Sequence, residues 1–127
     1  MLLVYISLTG NVKKFVNRVS NNNYEIGYSL PIKEVDEEYL IIVPSYDDEI
    51  TDLASEFINF KRNEEYLIGF AGSGNKNWDE HYCKNAKQLA ENYNKPLIFN
   101  FELSGTDKDI EKFKEEVNKF AITKTSK

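Results

Sequence analysis

Three short runs of almost unbroken apolar residues constrain the fold of this chain more than any other feature. They read LLVYI at residues 2–6, YLIIV at 39–43 and PLIFNF at 96–101. Strands covered on both faces lack a polar alternation, and such strands usually belong to parallel sheets. Residues 24–28 and 66–71, rich in aromatic and aliphatic side chains, predict two more strands. We therefore expect a five-stranded parallel sheet.

Amphipathic helical patterns separate most of these strands. Apolar side chains recur every three or four residues, and polar or charged residues fill the opposite face of each helix. The four stripes are Val12, Phe15, Val16 and Val19; Leu53, Ala54, Phe57 and Ile58; Tyr82, Ala86, Leu89, Ala90 and Tyr93; and Ile110, Phe113, Val117 and Phe120. Strands alternating with helices predict one α/β domain over residues 1–127, an open, doubly wound sheet with helices on both faces.

Two local patterns refine this prediction. The segment SLPIKEVDEE between the second and third strands is shorter than the usual helical crossover, so we expect it to be mostly extended. Thr106 with Asp109, just before the last apolar stripe, predicts the N-terminal cap of the last helix.

Composition limits the chemistry of the chain. A formal net charge of −5 argues against general nucleic-acid binding, because phosphate backbones select basic surfaces. No apolar run is long enough to cross a bilayer and no basic leader precedes the first strand, so we expect a cytoplasmic protein. Cys83 is the only cysteine, and its place near a helical stripe predicts a buried thiol. A single cysteine can form neither an intramolecular disulfide nor a redox pair, so any redox chemistry would need an imported cofactor.

The turn after the first strand has the composition of an anion site. Ser7, Thr9, Gly10 and Asn11 lie between the strand and the first helix, whose first N–H groups lack partners within the helix. The turn lacks both the Gly-Lys-Ser/Thr ending of a nucleotide loop and the three-glycine dinucleotide pattern, so a single phosphate fits best. The same residues are also common in ordinary turns and caps, and this stretch alone leaves both interpretations open.

Two further stretches follow the third and fourth strands and bring aromatic side chains to the same edge of the sheet. PSYDDE at residues 44–49 contains Tyr46, and GFAGSGNKNWDEHY at 69–82 contains Trp78 and Tyr82. Either Trp78 stacks on a ligand or partner, or it folds back onto the third helix. A phosphate site beside aromatic plates suits a flat ring on a phosphorylated tether, and flavin mononucleotide (FMN) is the leading candidate.

Three motifs in this order resemble the NrdI family, small flavodoxin-like proteins that serve class Ib ribonucleotide reductases. They are Ser-x-Thr-Gly-Asn after the first strand, SGNKNW at residues 73–78 and FELSGT at 101–106. The resemblance implies a flavodoxin-like sheet of order 2-1-3-4-5 that binds FMN. The implied cofactor residues are Ser7, Leu8, Thr9, Gly10, Asn11 and Val12 at the phosphate; Pro44, Ser45, Tyr46, Asp47 and Asp48 beside the ring; Ser73, Gly74, Asn75, Trp78 and Tyr82 on its other side; and Glu102 and Leu103 at its edge.

The resemblance also implies a function and two partners. In the family, reduced flavin reacts with dioxygen, and the oxidant reaches the radical-generating (beta) subunit of the reductase, where it assembles the radical cofactor. A separate reductase would supply the electrons. This chain departs from the family pattern at Asp47, Asp48 and Glu49, where glycines are usual. We expect these acids to lower the flavin reduction potential and the loop of residues 44–50 to be less mobile.

Three other classes remain open from the sequence. A general electron-transfer flavodoxin would use the same pocket, and a flavin-free interaction module would use none. A phosphoacceptor signalling domain would place Asp47 after the third strand, but it also needs an acidic pair after the first strand and a lysine after the fifth. This chain has Ser7 and Glu102 there, which disfavours that class.

The colour of the purified protein separates these classes. A yellow protein with flavin absorption bands is the expected result, and it supports either kind of flavoprotein. A colourless protein that cannot be reconstituted with FMN would instead support the signalling domain or the flavin-free module.

Overall fold

Five parallel strands form one sheet, as the apolar runs predicted, and their order β2-β1-β3-β4-β5 is the one that the family resemblance implied. The computed structural model describes residues 1–77 and 82–125. The strands are β1 Leu2–Tyr5, β2 Asn23–Glu25, β3 Tyr39–Val43, β4 Leu67–Gly74 and β5 Leu97–Glu102. Every residue of β1, β3 and β4 is buried, which explains the unbroken apolar runs of β1 and β3. The third apolar run forms β5, which lies at the edge of the sheet and is mostly only half-buried, so the expected cover on both faces was wrong for this strand.

Helices cover both faces of the sheet, which confirms the doubly wound arrangement. They are α1 Asn11–Val19, α2 Asp48–Ile58, α3 Lys84–Tyr93 and α4 Asp107–Thr125, with a short 3₁₀ turn at Asn63–Tyr66. One apolar core lies between the sheet and α2 with α3, and the other lies between the sheet and α1 with α4. None of the helices in the described part of the chain is long and apolar enough to cross a membrane.

Aromatic packing fixes α1 against the sheet and against α4. The Phe15 and Phe101 rings stack with their centroids 3.7 Å apart, and Phe113 meets Phe15 edge-on at 5.2 Å. Such pairs add about 0.5–1.5 kcal/mol beyond the burial of their surface. This packing orients α1 so that its N-terminus lies at the carboxyl edge of the sheet, directly after β1.

The cap predicted for the last helix is present. The Asp109 N–H donates to Thr106 Oγ1 at 3.1 Å, and the Thr106 N–H donates to Asp109 Oδ2 at 2.9 Å. This reciprocal pair satisfies two backbone donors at the start of α4.

The predicted strand boundaries were least accurate at the ends of β2 and β4. β2 ends at Glu25 rather than at residue 28, because the chain turns after Ile26, where the Leu30 N–H donates to the Gly27 C=O. β4 continues past residue 71 to Gly74, because residues 72–74 still pair with β5. Gly74 therefore ends a strand and does not begin a loop.

The crossover between β2 and β3 contains no helix, as predicted, and one buried side chain holds it. Asn63 is fully buried. Its Oδ1 accepts from the Val35 N–H at 2.8 Å, and its Nδ2 donates to the C=O groups of Lys33 at 3.0 Å and Phe57 at 2.9 Å. A side-chain amide thus supplies partners for backbone groups that a crossover helix would have paired internally.

Replacing Asn63 with alanine should lower the free energy of unfolding by about 1–3 kcal/mol, because it leaves buried backbone groups without partners. Urea denaturation measures this change. Asn92→Ala, on the exposed side of α3, is the matched control and should stay within about 0.5 kcal/mol of the parent protein. Equal stabilities for the two variants would contradict the anchoring role of Asn63.

Candidate ligand-binding site

A cleft of about 450 Å³ opens at the carboxyl edge of the sheet. Its walls come from the segments that follow β1, β3, β4 and β5, and ligands of open parallel sheets bind at this edge. The lining residues are Leu8, Thr9, Asn11, Val12, Pro44, Ser45, Tyr46, Ser73, Gly74, Asn75 and Leu103. All of them belong to the set that the sequence predicted, so the fold brings these residues together.

The start of α1 forms one wall, and its backbone donors are open. Gly10 precedes the helix with φ of 93°, a left-handed conformation that glycine adopts without strain. The Lys13 N–H donates to Ser7 Oγ at 3.3 Å. Among the described residues, nothing accepts from the N–H groups of Asn11 or Val12. Together with the helix dipole, these two donors make this wall suitable for an anion.

Apolar and aromatic side chains form the rest of the mouth. Tyr46 is 61% exposed, Leu103 51% and Leu8 48%. All three side chains expose a large apolar surface to water, and all three border the cleft. The cleft therefore combines anion donors at the α1 wall with apolar surface elsewhere, which is the pattern of a small-molecule site.

Close backbone packing forms the floor at Gly74. A Cβ atom at this position would lie 2.9 Å from the Cys83 nitrogen and 3.0 Å from Tyr82 Cδ1. The same atom would lie 3.2 Å from Ser45 Oγ. Only glycine fits there. Tyr82 packs beside this floor and does not line the cleft, and its contact with a ligand stays a prediction.

A chain of hydrogen bonds links three walls. Ser45 Oγ donates to the Ser73 C=O at 2.8 Å, and Ser73 Oγ donates to the Leu103 C=O at 2.6 Å. The Leu103 N–H donates to the Gly74 C=O at 3.0 Å. These contacts hold Leu103 at φ of 53°, a left-handed conformation that is unfavourable for a leucine.

Glu102 binds the segment that follows β4 and does not line the cleft. Its Oε2 accepts from the Lys76 N–H at 3.0 Å, which ties the segment after β4 to the end of β5. Asn75 Oδ1 accepts from the Asn77 N–H at 2.9 Å and tightens the same segment. Trp78, predicted to stack on a ligand, lies outside the described residues.

The acidic residues after β3 begin α2, so the loop predicted over residues 44–50 ends earlier than expected. Asp47 is the N-cap of α2, and its Oδ1 accepts from the Glu49 N–H at 3.1 Å. Asp48 and Glu49 form the first helical turn, and Glu49 Oε2 accepts from the Tyr28 hydroxyl at 2.7 Å. Neither Asp47 nor Asp48 lines the cleft. Their expected effect on a flavin potential therefore stays a prediction, and it would act from outside the cleft.

Cys83 is buried, as predicted, but it precedes α3 and is not part of it. It adopts φ of 55° as the residue before Lys84. Burial raises the pKa of its thiol to about 11, although Tyr82, Lys87 and the backbone of Phe101 act in the opposite direction. A buried thiol that stays protonated at neutral pH packs beneath the floor of the cleft and is not a nucleophile.

Sequence reasoning missed Asn85, which supports the cleft from below. It is 1% exposed and contacts the Tyr46 N–H, the Asp47 C=O and Thr51 Oγ1. A signal was present in the sequence. Asn85 directly precedes Ala86 in the apolar stripe of the third helix, and a buried amide there needs polar partners.

The site geometry fits a flat ring with a single phosphate. The volume of the cleft lies within the range of about 300–1,000 Å³ that is usual for small-molecule sites. Two free backbone donors at a helix N-terminus suit one phosphate, and Tyr46 with Leu103 offers apolar surface to a ring.

Comparisons with known proteins agree with this arrangement. The family model described as NrdI flavodoxin-like matches residues 3–115. Among solved structures, a short-chain flavodoxin associated with a bacterial microcompartment is similar, with a TM-score of 0.67 and 21% sequence identity. The match covers 94% of this chain and 97% of that protein. At this identity the likeness shows a shared fold alone.

Proposed function

Because the chain belongs to the NrdI flavodoxin-like family, and is thus a flavodoxin-like flavin protein, we propose that it binds FMN and activates the radical-generating subunit of class Ib ribonucleotide reductase. The observation that carries the FMN assignment is the open N-terminus of α1 at one wall of an otherwise largely apolar cleft. A flavin without a phosphate would leave those donors unused.

The proposed roles of the residues follow from their positions. The N–H groups of Asn11 and Val12, with the hydroxyl of Thr9, would hold the phosphate. Tyr46 and Leu103 would pack against the ring, and Ser45 and Ser73 would keep the walls in place through their hydrogen bonds. These side chains bind and orient the cofactor, while its redox chemistry is its own.

FMN, when bound and reduced, supplies the electrons that convert dioxygen to an oxidant. The protein's share is to keep one edge of the site accessible and to present a surface that a partner can cover. The exposed apolar groups of Leu8, Tyr46 and Leu103 surround the mouth and suit such a contact. We propose that the partner subunit receives the oxidant there, in the cytoplasm, and that a separate reductase supplies the electrons.

The test is a reconstitution with the radical-generating subunit from the same genome. The FMN-loaded protein is reduced without oxygen and then mixed with oxygenated buffer and the metal-loaded subunit, and radical formation is followed by electron paramagnetic resonance. Catalase and superoxide dismutase are present to remove oxidant that escapes into solution. We expect the radical only in the complete mixture.

Two controls make the result decisive. Free reduced FMN replaces the protein in one sample, and the subunit is omitted in the other. Radical yield with free FMN equal to that with the protein would contradict directed delivery. Efficient electron transfer to an unrelated acceptor, with no radical in the complete mixture, would favour a general electron-transfer flavodoxin.

A further inference from the structure

One buried side chain fastens the loop of residues 44–47, which joins β3 to α2, to the start of α3. Asn85 Oδ1 accepts from the Tyr46 N–H at 2.9 Å, and Asn85 Nδ2 donates to the Asp47 C=O at 2.9 Å. Thr51 Oγ1 accepts from the same Nδ2 at 3.2 Å and orients the amide. We propose that Asn85 is a positioning residue that clamps this loop and thereby disfavours the reduced state of the bound flavin.

The clamp acts on two peptide groups of the loop. The Tyr46 N–H belongs to the peptide that joins residues 45 and 46, and the Asp47 C=O belongs to the peptide that joins residues 47 and 48. Turning either peptide breaks a hydrogen bond to a side chain that is 1% exposed, which is strongly disfavoured. The other donor to the Asp47 C=O, the Ile50 N–H, lies farther away at 3.3 Å.

The direction of the effect follows from flavin chemistry, and this step rests on the proposed flavin site. Reduction converts a hydrogen-bond-accepting nitrogen of the ring into an N–H donor. A nearby backbone C=O stabilises that donor if its peptide is free to turn. The loop borders the cleft through Ser45 and Tyr46, and Asn85 fixes the peptide between them by accepting from the Tyr46 N–H. Removing the Asn85 amide leaves this peptide, which carries the Ser45 C=O, free to turn and should favour the reduced state.

Asn63 provides a matched control for this proposal. Like Asn85, it is a buried asparagine whose side chain makes three hydrogen bonds. The partners of Asn63 are two backbone C=O groups and one backbone N–H. It lies in the 3₁₀ turn before β4, binds the crossover and does not line the cleft. Neither substitution by alanine changes the net charge, so a difference in reduction potential between the two variants cannot come from a changed charge.

The experiment compares Asn85→Ala, Asn63→Ala and the parent protein, each loaded with FMN. The midpoint potential is measured by equilibration with a reference dye, and hydrogen exchange of the Tyr46 amide is measured in the FMN-free protein. For Asn85→Ala we expect the ratio of reduced to oxidised FMN affinity to rise about tenfold, an upward shift of about 30 mV for a two-electron couple. The Tyr46 amide should exchange about tenfold faster. Asn63→Ala should change neither quantity.

A milder variant covers the case in which Asn85→Ala does not fold. Thr51→Val removes only the group that orients the Asn85 amide and should raise the affinity ratio by about twofold. An unchanged or lowered potential in Asn85→Ala, or in Thr51→Val if only that variant folds, overturns the proposal. An equal shift in Asn63→Ala also overturns it, because general destabilisation would then be the cause. Failure of the parent protein to take up FMN would refute the flavin site itself, whereas unchanged potentials leave that site intact.

Discussion

The open backbone donors at the start of α1 are the feature on which the rest of the site depends. A helix N-terminus needs partners for its first N–H groups, and here Gly10 supplies no side chain for that purpose. Ser7 satisfies the N–H of Lys13, while the N–H groups of Asn11 and Val12 stay free within the described part of the chain. The stacked pair of Phe15 and Phe101 holds the helix in this orientation. The core packing of α1 thus presents an anion site at the carboxyl edge of the sheet.

The other walls of the cleft are built by short polar contacts between the ends of neighbouring strands. Parallel pairing brings the ends of β3, β4 and β5 to one edge, and the hydroxyls of Ser45 and Ser73 join them there. These bonds hold Leu103 in a left-handed conformation and keep its side chain at the mouth. The strain at Leu103 is tolerated because the surrounding contacts determine its backbone on both sides.

Two buried asparagines supply hydrogen-bond partners to backbone groups that regular secondary structure would otherwise pair. Asn63 pairs backbone groups of a crossover that has no helix, and Asn85 pairs backbone groups of the loop after β3. Both combine a donor and an acceptor on one short side chain, which lets one residue satisfy opposite backbone groups at once. The difference between them is location, since only Asn85 touches the loop that borders the cleft.

Much of the fold was predictable because apolar periodicity records burial directly. The unbroken runs of β1 and β3 and the stripe through Phe15 and Val16 place strands and helices without tertiary information. The boundary at Gly74 was not predictable, because glycine normally signals a turn and only pairing with Glu102 extends the strand. The sequence predicts a loop over Asp47 and Asp48 because a helix cap and a loop share the same residue types. Asn85 was missed because its partners lie 34–39 residues away in the chain.

Calorimetric titration of the FMN-free protein with FMN and with riboflavin tests the central claim most directly. The two ligands share the ring and differ by the phosphate, so the ratio of their affinities isolates the donors at the start of α1. We predict that FMN binds at least about tenfold more tightly than riboflavin, as expected for hydrogen bonds to a charged group. Equal affinities for the two ligands, or no uptake of FMN by folded protein, would contradict it.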